Sequence, residues 1–222
     1  MFLLTVHLGV VVFLAKRTLG ISRRYVKCRL SRESLESYRT GDLLVHVGLD
    51  PTSEVVEWYL NCNITHCGIV VRHPVTDRLY VFHSTPFGPD RDVLTDRIRE
   101  GPILVDLRQH VAQYSGTVYR RPWMGEPWDD DRLWRLMREL NQYAYGYGTL
   151  FSLRDASEES TREVFRRYGT SCGVTCAYIW RRMGLLPESV AVHRITPDEF
   201  DDRTRSSVVP KGYGTIQCLS LT

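Results

Sequence analysis

The sequence has little excess charge of either sign. Its 222 residues carry 29 Lys and Arg against 26 Asp and Glu, a formal net charge of +3. That balance is too small and too evenly mixed to point to nucleic acid or to an acidic substrate. There is no internal repeat, no low-complexity stretch and no long linker. With 43% apolar and 25% charged residues, collagen, coiled coil and wholesale disorder are excluded. A run long enough to span a bilayer is also missing. Phe2 to Ala15 is apolar over fourteen residues, interrupted by Thr5, His7 and Gly9 and stopped by Lys16 and Arg17, whereas a span needs roughly 20 residues. Finally, the cysteines lack the two-residue gap of a zinc knuckle.

What is present divides at about residue 38. Residues 1–38 form an apolar segment and a basic linker, and residues 39–222 read as one domain of catalytic size. Residues 2–15 fit a membrane anchor as well as a buried first helix or strand. All nearby basic residues (Lys16, Arg17, Arg23, Arg24) follow the run, so an anchored chain would keep its domain on the cytoplasmic side, and no signal-peptide pattern is clear. The glycosylation tripeptide Asn63-Ile64-Thr65 falls within what reads as a core strand. The expectation is a reducing, cytoplasm-facing location, membrane-anchored or not, and no secretion.

The six cysteines are Cys28, Cys62, Cys67, Cys172, Cys176 and Cys218. A chain this long buries its own core and needs no disulfide staples, so the question is which thiol matters.

Apolar and β-branched runs predict strands over Leu43–Val47, Asn63–Val71, Leu79–Ser84, Ile103–Leu107 and Thr117–Arg120. The second and third are joined by a hairpin. Helical spacing predicts helices over Ser53–Leu60, Trp128–Tyr145 and Cys172–Met183, and Thr196-Pro197 looks like a further helix start. Residues 154–167 read as a charged, variable stretch. Hairpin-length connections between strands flanked by helices indicate an α+β fold with an antiparallel sheet.

Cys172 follows Gly169-Thr170-Ser171 at the start of a helix. Unsatisfied backbone N–H groups and the helix dipole favour a thiolate there, and the same groups can hold an oxyanion. The opposing reading is a plain core stripe of Cys172, Cys176, Ile179 and Met183, which periodicity alone supports equally well. A cysteine nucleophile needs a base, and His66 is the best candidate, a histidine among β-branched residues with Gly68 leaving space beside it. Centring the hairpin near Val75 sets His83 about opposite Cys67, so that one bulge would bring it beside His66 as the group that orients the base. Histidines 7, 46, 73, 110 and 193 lack such neighbours and are taken as solvent or core residues. A zinc site built from Cys62, His66, Cys67, Cys172 and Cys176 is the competing chemistry, weakened because residues 66 and 67 point to opposite faces of a strand.

Six segments occur in an order that resembles the circularly permuted branch of the NlpC-type papain-like cysteine hydrolases, in particular its poxvirus members and its bacterial and lipid-acyltransferase relatives. They are Gly41-Asp42-Leu43, Thr65-His66-Cys67-Gly68-Ile69-Val70, Tyr80-Val81-Phe82-His83-Ser84-Thr85, Val118-Tyr119-Arg120-Arg121, Tyr145-Gly146-Tyr147-Gly148, and Cys172 with its helix running to Gly184-Leu185-Leu186. The likeness spans about Gly41 to Phe200. It implies a papain-like fold with an antiparallel sheet packed on the nucleophile helix. Cys172 would be the nucleophile, His66 the base and His83 the orienting group, with no cofactor or metal. The substrates implied are peptide amides or lipid esters, and no nucleic acid is involved. Two departures stand out. Many relatives carry a carboxylate where this chain has His83, for which Asp42 would be the substitute, and Gly173-Val174 follow the cysteine where a small polar residue and an acid are common. A second function class is therefore an inactive papain-like binding protein, such as a membrane-tethered viral accessory factor.

Overall fold

The computed structural model describes residues 35–60, 64–86, 90–146, 157–201 and 208–218. The apolar segment 2–15, Cys28, Cys62, Asn63 and the Tyr147-Gly148 half of the glycine–tyrosine turn lie outside them. No helix among the described residues is long and apolar enough to cross a membrane.

The architecture is α+β, built on one antiparallel sheet. In chain order the elements are β1 (Leu43–Gly48), α1 (Pro51–Leu60), β2 (His66–Arg72), β3 (Leu79–Thr85), a small hairpin of β4 (Arg91–Asp92) and β5 (Arg97–Ile98), and β6 (Gly101–Asp106). There follow α2 (Leu107–Gln113), β7 (Gly116–Arg121), α3 (Asp130–Asn141), α4 (Glu158–Tyr168), α5 (Cys172–Arg182), two 3-10 turns (Val192–Arg194 and Pro197–Phe200) and β8 (Gln217–Cys218). The main sheet has the order β6-β3-β2-β1-β7-β8, with every neighbouring pair antiparallel.

Strand alternation divides the interior in two. Leu43, Val45, Cys67, Ile69, Val71, Phe82 and Leu104 face α3 and α5 in the larger core. Leu44, Val70, Val81, Ile103, Val105 and Val118 face the opposite way and join Leu107 and Val111 of α2 in a smaller one. Both faces are thus covered, and burying each such aliphatic or aromatic side chain is worth about 1.5–3 kcal/mol. Helix starts follow their caps. Asp50 accepts from Ser53 N at the head of α1, with Pro51 in the first turn, Asp106 accepts from Gln109 N, and Asp129 from Arg132 N.

Several local expectations need correction. The long helix runs only from Asp130 to Asn141. Leu107 belongs to α2 and not to the preceding strand, because the Asp106 cap starts a helix there. The stretch read as variable holds α4, capped by Ser157, whose Thr161, Val164 and Phe165 are buried at helical spacing beneath a charged outer face. β2 begins at His66, so Ile64 and Thr65 precede the strand rather than lying within it.

Candidate active site

The β2–β3 hairpin fixes the first part of the site. Its register pairs Arg72 with Leu79 and Gly68 with His83, without a bulge. The expected pairing of His83 with Cys67 is therefore off by one residue. The true register is the more favourable one, because it puts His66 and His83 on the same face as diagonal neighbours. Their rings meet directly, with His66 Nε2 and His83 Nδ1 2.8 Å apart. The space expected beside Gly68 is filled: a Cβ there would lie 2.7 Å from Val81 Cγ2 and 3.0 Å from His83 Cβ. Gly68 has to be small because Val81 and His83 together occupy the space beside it.

Two histidines taken as ordinary core residues join this pair. His46 is the cross-strand partner of His66 on β1, and its Nδ1 lies 3.3 Å from His66 O. His110 rises from α2, with Nε2 2.9 Å from His46 Nε2 and its ring centroid 4.6 Å from that of His83. His46, His83 and His110 are buried. Loss of hydration lowers all three from the ordinary histidine range, His110 to about 3, and the neighbouring imidazoles push in the same direction. The cluster is a set of neutral imidazoles beneath His66. The half-buried ring of Tyr114 packs over His46 and His66, and loss of hydration pushes its phenol up. The pairing of β1 with β2 was the signal that could have found His46. His110 sits between Leu107 and Val111 on the buried face of a helix too short to stand out by periodicity.

The nucleophile candidate arrives from the opposite core. Every residue of α5 from Cys172 to Arg181 is buried, so α5 is a central helix rather than an amphipathic one. Its start is held in place by three contacts. Ser84 Oγ, next to His83, donates to Thr170 O at 2.8 Å. Thr170 N donates to Ala144 O at 2.9 Å, and Gly146 N to Thr170 O at 3.4 Å. Gly146 has no room for a side chain, since a Cβ would sit 1.6 Å from Tyr168 O. Gly173, one of the departures noted above, is likewise demanded by space: a Cβ would lie 2.8 Å from Ile195 O.

At that helix start the Cys172 thiol is held well below the ordinary range. The first cause is a hydrogen bond from the Cys67 thiol, and the charge and hydrogen bond of His66 and the Cys67 N–H add to it, against the opposing effect of burial. Cys67 moves the other way, raised by burial and by its contacts with Cys172 and Cys176, and Cys176 Sγ lies 3.7 Å from Cys67 Sγ. Three free thiols therefore meet, with Cys67 as hydrogen-bond donor to Cys172. Cys67 faces the larger core, as alternation requires, while Cys172 reaches both residue 67 and residue 66 by lying over the end of β2.

Cys172, His66 and His83 thus come together. Asp42, the substitute orienting residue, does not join them. It sits at the other end of β1, fully buried, and is ion-paired to Arg120 at 2.7 Å. It also accepts from Trp123 N at 2.8 Å and Arg39 N at 3.1 Å, a structural post for the chain after β7.

No family model and no curated protein matches the sequence. Among solved structures, the metalloprotein YiiX from Escherichia coli O157:H7, DUF1105, superimposes with a TM-score of 0.43 at 14% identity, covering 66% of this chain and 67% of that one.

Proposed function

We propose that the protein is a permuted papain-like thiol hydrolase or acyltransferase that cleaves an amide or ester through a thioester at Cys172. The observation that carries this reading is the line Cys172–His66–His83, in which a thiol with a depressed pKa touches a histidine held at 2.8 Å by a second one. Because His66 commits Nε2 to His83, its other ring nitrogen is left for the thiol.

His66 takes the Cys172 proton, and the thiolate attacks the substrate carbonyl carbon. The resulting oxyanion is held by free N–H groups at the start of α5. On collapse the C–N or C–O bond breaks, and the leaving amine or alcohol takes the proton from His66. Water, or an acceptor hydroxyl, then gives a proton to His66 and attacks the thioester carbonyl, which releases the acid or the transferred acyl product and restores the thiol. His83 is a positioning residue: neutral, it accepts a hydrogen bond from the His66 imidazolium. A lipid ester would suit an apolar amino terminus, and a peptide amide would suit the family resemblance.

Thiol reactivity tests this. Near neutral pH, iodoacetamide should label Cys172 at least about tenfold faster than the other five cysteines, and His66→Ala should abolish the difference. Slow, uniform labelling of all six would overturn the reading. It would favour the second one, a binding protein that has kept the fold and lost turnover, which the 3% exposure of Cys172 supports.

A further inference from the structure

The thiol reaction uses only one nitrogen of His83. The other, Nε2, is buried and has no hydrogen-bond partner, in a residue that is 3% exposed. An unpaired buried polar atom costs about 1–3 kcal/mol, so it calls for an account. The nearest groups supply one. Oδ1 of Asp90, just before β4, is also buried and unpartnered, and His83, Asp90 and His110 each offer one donor atom to a group whose members all lie within 4.8 Å of one another.

From this juxtaposition we propose that His83, Asp90 and His110 bind a divalent transition-metal ion of the zinc class. Two imidazoles and one carboxylate are a donor set for such an ion, and three protein ligands leave an open position for water or an exogenous ligand. Bonds of about 2.0–2.1 Å in tetrahedral geometry place donors roughly 3.4 Å apart, so donors within 4.8 Å of one another need to close by at most about 1.4 Å. Both imidazoles already have the outer partners that orient ligating histidines: His66 on His83 at 2.8 Å and His46 on His110 at 2.9 Å. The pair of orphans also argues against a simple internal hydrogen bond between His83 and Asp90. They lie close together without hydrogen-bonding to each other, as groups do that share a third partner.

This site differs from the cysteine-rich zinc arrangement weighed on sequence, since it includes no thiol and lies on the α2 face of the sheet. The site shares His83 with the proposed triad: a metal on Nε2 leaves the proton on Nδ1, donating to His66, the reverse of the acceptor role above, so the test uses full-length Cys172→Ser protein, in which thioester chemistry is absent. After chelator treatment and dialysis, titration with Zn2+ should show one tight equivalent per chain, and Co2+ should give the visible bands of a tetrahedral N/O site without thiolate charge transfer. Asp90→Asn, nearly isosteric and in an unpartnered position, should weaken Zn2+ binding at least tenfold while leaving the melting temperature of the metal-free protein unchanged. His110→Ala should do the same to binding, and Cys67→Ser should not. Absence of a stoichiometric equivalent would overturn the proposal, as would full affinity in Asp90→Asn or thiolate bands that vanish with Cys67→Ser.

Discussion

In the histidine cluster, single residues tie stability to pH. His110, pushed down to about 3 by burial and by His66, is neutral when folded and titrates near 6.5 when unfolded. Between these values the unfolded chain binds the extra proton, so the stabilisation is complete above pH 6.5 and is lost as the pH falls. By pH 5 the loss from His110 alone is roughly 2 kcal/mol. His46 and His83 act in the same direction. Asp42 and Asp90, raised by burial, act oppositely in the carboxylate range, and the Tyr114 phenol facing the cluster stays neutral throughout. The clean measurement is therefore a difference. In chelator-treated protein, urea unfolding at pH 7.5 and pH 5.0 should show a stability drop that shrinks by about 2 kcal/mol in His110→Asn. An equal drop in both proteins would remove the cluster as its cause.

The sequence made part of this cluster legible. His66 was visible because a histidine stood alone among β-branched neighbours, and His83 because a short hairpin joined their strands. His46 and His110 depend on which strands pair and on where α2 crosses the sheet, and no local pattern carries that information.

Among the elements, α5 governs the candidate site because its first turn is packed tightly against the Ile195–Thr196 backbone. Replacing a helical glycine with alanine ordinarily stabilises by about 1 kcal/mol. At Gly173 the added Cβ would meet Ile195 O at 2.8 Å and the Thr196 carbonyl carbon at 3.1 Å, and backbone cannot step aside as a side-chain tip can. Gly173→Ala should thus lower the melting temperature, and it should slow Cys172 alkylation by a larger factor than Gly184→Ala, where the left-handed backbone is strained but nothing lies within 4 Å. A more stable Gly173→Ala protein would show that the helix start is not wedged.

The elements missed on sequence share a physical cause. α4 hides its apolar stripe among charges, α2 spans barely two turns, and β8 is a two-residue strand defined by its partner rather than by its own composition. Long, regular segments such as β2, β3 and α5 were readable because each satisfies its pattern several times over.

For the molecule as a whole, the α+β class followed from hairpin-length connections, whereas the way the two faces of the sheet are shared out did not. The larger core takes α3 and α5, and the smaller takes α2 with the histidine side of the strands. The putting-together of the candidate site from both sides of one sheet is a property of the complete chain, since its thiol comes from one core and its imidazoles from the other.

The Ser84–Thr170 tether bridges 86 residues of chain, and the Cys67–Cys176 contact bridges 109. Contacts this distant in sequence form slowly, because loop closure comes before any packing is gained. During refolding from urea, selective alkylation of Cys172 should return only with the slowest phase, after most of the circular dichroism signal has recovered. Early recovery of reactivity would contradict this order. On the ribosome the consequence is sharper. The β2–β3 hairpin emerges long before α5, with Cys67, Ile69 and Phe82 still uncovered, so the growing chain carries a sticky sheet face until α5 is made. The same timing withholds from Cys172 the Cys67 and His66 contacts that lower its pKa until the fold around it is complete.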